Sequence, residues 1–310
     1  AALLGGSKMR AFLGLVTILA ACGPTPTRKD QDVDAQPTTD SPQPTGDAAG
    51  PGCQAIDVLF VIDNSGSMGQ EQTNLIANFP GFIAVLEGSG LDYRVAVTTT
   101  GRDYTYTMQS PIGGGIPVSQ DGGDNGAMLK SPTMTRRWIE KADADVSGTF
   151  SAVANVGVSG PSDEMPLSAM RDAFEERMTD GTNAGFHRPD ALLAIVILTD
   201  EEDCSYEAPV TLSFAQSLCE SQMEPVGNYT TFLDQYTGNR SRWATAVIAG
   251  PGPGACSSDF GSADEATRLK DFVTLTGPNA KFSSICDGDL SIGLTQALEL
   301  FESACGGILL

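Results

Sequence analysis

The stretch Val58-Leu59-Phe60-Val61-Ile62-Asp63-Asn64-Ser65-Gly66-Ser67 sets the reading of the whole chain. Its first five residues are apolar without a break, the pattern of a strand buried on both faces of a parallel sheet. The next five are short, polar or glycine, and end the strand in a loop. Open α/β sheets bind ligands at the carboxyl ends of their strands. This loop offers one carboxylate and two hydroxyls at alternate positions, Asp63, Ser65 and Ser67, all oxygen donors. Hard divalent cations take oxygen ligands, and Mg²⁺ in particular is held by few carboxylates with coordination positions left over. In a bare loop, D-x-S-x-S would read as a turn; after a buried strand it points to a metal site.

Strand and helix patterns alternate from Cys53 onward. Strands are predicted over 58–62, 93–99, 194–198, 244–249 and 281–286. Helices are predicted over 71–86, 164–174, 229–236, 264–274 and 290–301, with a helical turn over 149–156. Pro80 is expected to kink or split the first helix. Residues 101–146 are poorly periodic and are read as an edge strand and loops, and 201–226 as an insertion. Repeated strand-then-helix units predict an α/β fold, a doubly wound, mostly parallel sheet with helices on both faces.

The composition narrows the function. The chain has 310 residues, 39 acidic and 18 basic, a net charge of −21 and a pI near 4.2. No basic patch can be large enough to release many phosphate counterions, so nucleic acid is not an expected partner. The acidity fits both a solvated surface and an affinity for divalent cations. His187 is the single histidine, in a loop beside Arg188 and Pro189, and is read as a surface or capping residue. It gives a Ser-His-Asp triad little support. Gly113-Gly114-Gly115 lacks the lysine of a phosphate-binding loop, and the spacing of Asp121, Asp124 and Asn125 fails the EF-hand pattern. The chain is not expected to be an enzyme.

The N-terminus reads as a targeting segment. Lys8 and Arg10 precede an apolar run over 11–21 that is too short to span a bilayer. Leu19-Ala20-Ala21-Cys22 resembles a bacterial lipoprotein signal, which implies cleavage before Cys22 and lipidation of that residue. Residues 22–52 are rich in Pro, Thr and Asp, lack aromatics, and are read as a disordered tether. A domain over 53–310 follows. If Cys22 carries lipid, six cysteines remain, an even number suited to an oxidising compartment. The expected pairs are Cys53–Cys305, tying the two ends of the domain, Cys204–Cys219, stapling the insertion, and Cys256–Cys286. A zinc site is the rival reading, weakened by the lack of any C-x₂-C pair.

The motif Asp63-x-Ser65-x-Ser67 resembles the metal-ion-dependent adhesion site of von Willebrand factor type A domains. Two further stretches carry the resemblance. Ile195-Val196-Ile197-Leu198-Thr199-Asp200 is similar to the strand that delivers the last aspartate of that site. Thr199-Asp200 could instead cap the following segment. In Ser159-Gly160-Pro161-Ser162-Asp163-Glu164-Met165-Pro166-Leu167, the family supplies a threonine just before a helix; here Glu164 aligns with it, and Ser162 is the nearest hydroxyl. A third carboxylate would lower the charge of the centre and its grip on an outside carboxylate. Alternatively, Asp163 and Glu164 are first-turn charges of the helix. The run Asp200-Glu201-Glu202-Asp203 reads as a solvated loop, with a second cation as the alternative.

The resemblance covers roughly 54–303 and implies metal ligation by Asp63, Ser65, Ser67, Glu164 and Asp200. It implies a divalent cation, Mg²⁺ first and Ca²⁺ or Mn²⁺ as alternatives. The expected function is a cell-envelope lipoprotein that binds a protein ligand through an acidic side chain held by the cation. Only the lipid anchor would touch the membrane, and the outer membrane or cell surface is the expected location. A scaffold with a purely structural cation is the second reading, and a metal-assisted hydrolase the third.

Overall fold

The computed structural model describes residues 52–214, 216–220 and 223–306. The expected signal over 1–21, lipidation at Cys22 and nearly all of the tether lie outside the described residues.

The chain enters the fold through β1 (Ala55–Ile62), α1 (Gly69–Ser89) and β2 (Asp92–Thr99). A hairpin of β3 (Tyr104–Gln109) and β4 (Gly115–Gln120) follows, then the two-residue β5 (Ile139–Glu140) and α2 (Val146–Ala154). Next come α3 (Pro166–Phe174), the single turn α4 (Glu176–Thr179), β6 (Leu192–Leu198) and the short β7 (Thr211–Leu212). The remainder is α5 (Val226–Thr237), β8 (Trp243–Ala249), the hairpin β9 (Cys256–Ser258) and β10 (Gly261–Ala263), α6 (Thr267–Thr276), β11 (Ala280–Ser284) and α7 (Leu290–Gly306).

Six strands form the central sheet in the order β11-β8-β6-β1-β2-β5. Every neighbouring pair is parallel except β2–β5. From β1 the chain works outward through β2 to β5 on one side. On the other it runs through β6 and β8 to β11. The order therefore reverses between β1 and β6, the position where open α/β sheets bind ligands at their carboxyl ends. Register aligns Ile62 with Leu198, so Asp63 and Thr199 leave the sheet side by side.

Helices cover both faces. Val58, Phe60 and Ile62 face a core built with α1, α2 and α7, while Leu59 and Val61 face α3, α5 and α6. That double burial is the reason for the unbroken apolar run. Phe60 stands edge-on to Phe79, Phe82 and Phe150, with ring centroids 6.0, 5.5 and 5.1 Å away. Burying such a ring stabilises the fold by about 1.5–3 kcal/mol.

Several expectations are corrected. Pro80 does not split α1, which continues through it to Ser89; the proline lies on the exposed side, where water can reach the carbonyl that loses its partner. The fourth helix starts at Thr267, leaving Asp264 in a loop. The weakly periodic region holds more than an edge strand: β5 is that strand, but β3, β4 and β7 form a second sheet in the order β4-β3-β7. The alternation Tyr104-Thr105-Tyr106-Thr107-Met108-Gln109 carries the period of two of a strand, whereas Gly and Pro break it up in β4 and β7 is only two residues long.

All three expected disulfides are present, with Cα separations of 5.0 Å for Cys53–Cys305, 4.5 Å for Cys204–Cys219 and 6.1 Å for Cys256–Cys286. Among the described residues no helix is long and apolar enough to cross a membrane.

Candidate metal centre

Asp63 is the pivot of the site and is fully buried. Its backbone N–H donates to the Leu198 carbonyl at 2.9 Å, fastening the loop to the next strand. Oδ1 accepts the Ser65 N–H at 2.7 Å, and Oδ2 accepts the Thr199 hydroxyl at 2.5 Å. The Ser65 and Ser67 hydroxyls lie 3.1 Å apart, and the Ser67 hydroxyl donates to Asp200. Gln72 of α1 holds the loop from behind, donating to the Asp63 carbonyl at 2.9 Å and the Gly157 carbonyl at 2.8 Å.

Glu164 enters from the third loop. It is fully buried and precedes α3 by two residues, so it is not a first-turn charge of that helix. Its Oε2 accepts the hydroxyl of Thr100, the residue just past β2. Ser162 is exposed and its side chain bonds the Tyr104 hydroxyl. The buried group of this loop is therefore Glu164, and the hydroxyl bound to it is that of Thr100, not Ser162. Gly160 lets the loop close: its N–H donates to the Asn64 carbonyl at 2.9 Å, and a Cβ there would lie 2.3 Å from Asn64 Oδ1.

Asp63, Ser65 and Ser67 on the first loop, Glu164 on the third and Asp200 after the next strand border one acidic region. Among the described residues, Asp63, Glu164 and Asp200 do not form a group whose carboxylate oxygens all lie within 4.8 Å of one another. The structure adds groups that sequence reasoning missed. Thr199, read as a possible cap, does accept the Glu201 N–H at 3.1 Å, and it also donates to Asp63. Thr100 carried a signal, its place at the end of the strand beside β1. Glu71, in the first turn of α1, is buried under Gly261, whose lack of a Cβ and φ of +127° admit the carboxylate.

The electrostatics are those of an uncompensated anionic pocket. Burial, then the Asp200 charge, pushes Asp63 up to about 6. Burial, with Asp63 next, pushes Glu164 up to about 9. Glu71 and Glu201 are each raised to about 7, by burial first and then by Asp63 and Asp200. Burial also raises Asp200. Of the six buried side-chain oxygens without a hydrogen-bond partner among the described residues, four lie around this pocket: Asn64 Oδ1, Glu71 Oε2, Glu164 Oε1 and Asp200 Oδ1. Leaving a buried acceptor unmade costs about 1–3 kcal/mol, more when it is charged. Such groups persist where a cation can satisfy them, and an all-oxygen donor set suits Mg²⁺, Ca²⁺ or Mn²⁺.

The acidic run after Asp200 is not a solvated loop. Glu202 accepts the Arg268 N–H at 3.0 and 3.1 Å, at the start of α6. Asp203 is fully buried, pairs with Arg268 Nε at 3.0 Å and accepts the Ser205 hydroxyl at 2.6 Å. Both are satisfied within the protein, so neither is left for a second cation. Asp163, Cys204 and Cys219 converge nearby, but the cysteines form a disulfide and are no thiolate ligands.

His187 lies at the opposite, amino-terminal ends of the strands, just before β6. It is half-buried rather than at the surface, and its ring packs 5.3 Å from that of Tyr236. Burial pushes it down to about 4.

No family model matches the chain, and no curated protein matches it. Solved structures do. Proximal thread matrix protein 1 of the mussel byssus aligns with 12% identity and a TM-score of 0.39, over 80% of this chain and 49% of that one. The pilus adhesin SpaC of Lactobacillus rhamnosus GG aligns with 10% identity and a TM-score of 0.42, over 81% of this chain and 31% of the adhesin. Its open conformation gives 10% identity and 0.41. The chain therefore spans half or less of the proteins it resembles in structure.

Proposed function

We propose that this domain is a doubly wound type A-like fold whose crevice holds a divalent cation, Mg²⁺ first, between Asp63, Ser65, Ser67, Glu164 and Asp200. The observation that carries the reading is the set of buried, unpartnered oxygens at the point where strand order reverses. When bound, the cation supplies a positive centre to which an outside carboxylate can attach. The proposed role is a binding module that recognises a protein partner through an acidic side chain. Lipid anchoring at Cys22 and display at the outer membrane or cell surface belong to the same proposal. The disulfides support an oxidising compartment.

A scaffold role with a purely structural cation is the second reading, favoured by Glu164. A third carboxylate offsets charge that would otherwise face a partner. Hydrolysis has less support, because the single histidine sits at the other end of the sheet.

Calorimetric titration of the protein with Mg²⁺, Ca²⁺ and Mn²⁺, beside Asp63→Ala, tests the centre. Binding that vanishes in a folded Asp63→Ala protein supports it. Absence of binding by the wild-type protein sinks both cation readings.

A further inference from the structure

We infer that the small sheet β4-β3-β7 is an arm giving the same protein partner a second, uncharged and apolar foothold beside the cation. The inference rests on the metal-bridge reading and names further chemistry of its partner.

The arm is rooted in the candidate centre. Strand β3 begins four residues after Thr100, the partner of Glu164, and the Tyr104 hydroxyl donates to Asp163. The Tyr206 hydroxyl donates to the Thr105 carbonyl at 3.1 Å, and the Cys204–Cys219 disulfide closes the segment that carries β7. Strand β3 points outward from this root, and β7 runs parallel to it. Six strand residues carry the tip roughly 20 Å away.

Two properties set the arm apart. Residues 104–120 and 208–219 contain no Asp, Glu, Lys or Arg, in a chain with a net charge of −21. One face is apolar along its length through the cross-strand pairs Tyr106–Val118, Met108–Ile116 and Met108–Leu212. Tyr104 and Leu212 of that face are buried, at 7% and 1% exposure, while Ile116 of β4 is 51% exposed, and beyond the strand ends the turn residues Ile112 and Phe214 are 97% and 64% exposed. Single exposed apolar residues are ordinary; three on one charge-free arm are a contact surface.

Charge complementarity selects the occupant. A partner that offers a carboxylate to the cation is repelled by the acidic surface elsewhere, while the uncharged arm imposes no such cost. The partner segment therefore carries an acidic residue and, one arm-length away, bulky apolar side chains. Pro117 in the outer strand β4 has no N–H to donate, which disfavours strand addition at that edge.

The test is selection of a random peptide library on the immobilised full chain in Mg²⁺. Enriched peptides are then measured against wild type, Asp63→Ala and the surface double variant Ile112→Ser/Phe214→Ser. The expected peptides combine an acidic residue with apolar ones, lose binding on chelation or in Asp63→Ala, and bind the double variant about tenfold or more weakly. Peptides that need Mg²⁺ and Asp63 but bind the double variant unchanged overturn the arm and leave the metal bridge standing. If no chelator-sensitive peptide is found, both fall. Arm-dependent self-association in sedimentation, or arm-dependent flotation with phosphatidylglycerol vesicles, reassigns the arm to a second copy or a membrane and overturns the inference.

Discussion

Strand β1 carries a buried carboxylate at each end, and the two are treated in opposite ways. Asp57, near its start, is fully buried, yet both oxygens are satisfied. Oδ2 accepts the Arg188 N–H at 2.6 Å, and Oδ1 accepts Arg188 Nε and Nη2 at 2.9 and 2.7 Å. Asp63, just past the strand's end, is equally buried but meets Glu164, Asp200 and Glu71 without a single basic side chain among its hydrogen-bond partners. One end is closed by a guanidinium within the chain. The other gathers negative charge and leaves oxygens unpaired. The difference is one of charge compensation: an arginine of the chain neutralises Asp57, while Asp63 is held only by neutral donors, the Ser65 N–H and the Thr199 hydroxyl.

The comparison breaks most visibly at the closed end. Arg188→Met strands the Asp57 charge in the core and should cost about 3 kcal/mol of stability, read by chemical denaturation, with cation binding kept wherever the protein is folded. If Arg188→Met is as stable as wild type, Asp57 is not held by its arginine and the contrast fails.

The open end should respond to cation instead. At a concentration one hundred times its dissociation constant, Mg²⁺ should stabilise the wild-type protein by about 2.7 kcal/mol, and Asp63→Ala not at all. Equal melting temperatures with Mg²⁺ and with chelator would contradict this.

The pH dependence sharpens the contrast. Asp63 is raised from 3.8 to about 6 and Glu164 from 4.5 to about 9, so the folded state keeps protons that the unfolded chain has released. The stability of the cation-free protein therefore falls as pH rises from about 4 to about 9. Saturating Mg²⁺, which binds the deprotonated groups, should flatten that fall. Denaturation midpoints across this range in chelator and in Mg²⁺ measure it; identical profiles would refute it.

The smallest effect is expected for Glu164→Gln. The amide can still accept the Thr100 hydroxyl, so cation-free stability at pH 7 should stay within about 0.5 kcal/mol of wild type. Cation affinity should drop about tenfold, read by calorimetry. Unchanged affinity would place Glu164 outside the coordination sphere.

Much of this was legible beforehand, for reasons visible in particular residues. Val58–Ile62 and Ile195–Leu198 announce their strands because both faces are covered, so no polar residue interrupts them. Asp63, Ser65 and Ser67 are recognisable because their spacing is local. The arm was not legible: Ile116 looks like a loop residue until β3 and β4 are seen to pair, and β7 joins them from a segment about one hundred residues further along the chain. Glu202 and Asp203 looked solvated because their partner, Arg268, lies more than sixty residues away in the chain.

By itself, the sequence determined the alternation of strands and helices and an even set of six cysteines in the domain, from which the structure selected one pairing out of 15. These follow from short-range periodicity and from cysteine number. Only the tertiary structure decided that Thr100 and Thr199 anchor Glu164 and Asp63, that Glu164 rather than Ser162 turns inward, and that Glu71 joins the pocket. Those outcomes depend on which strand ends meet across the sheet and on which buried charges find a partner. Both are properties of packing between distant segments, which no local pattern encodes.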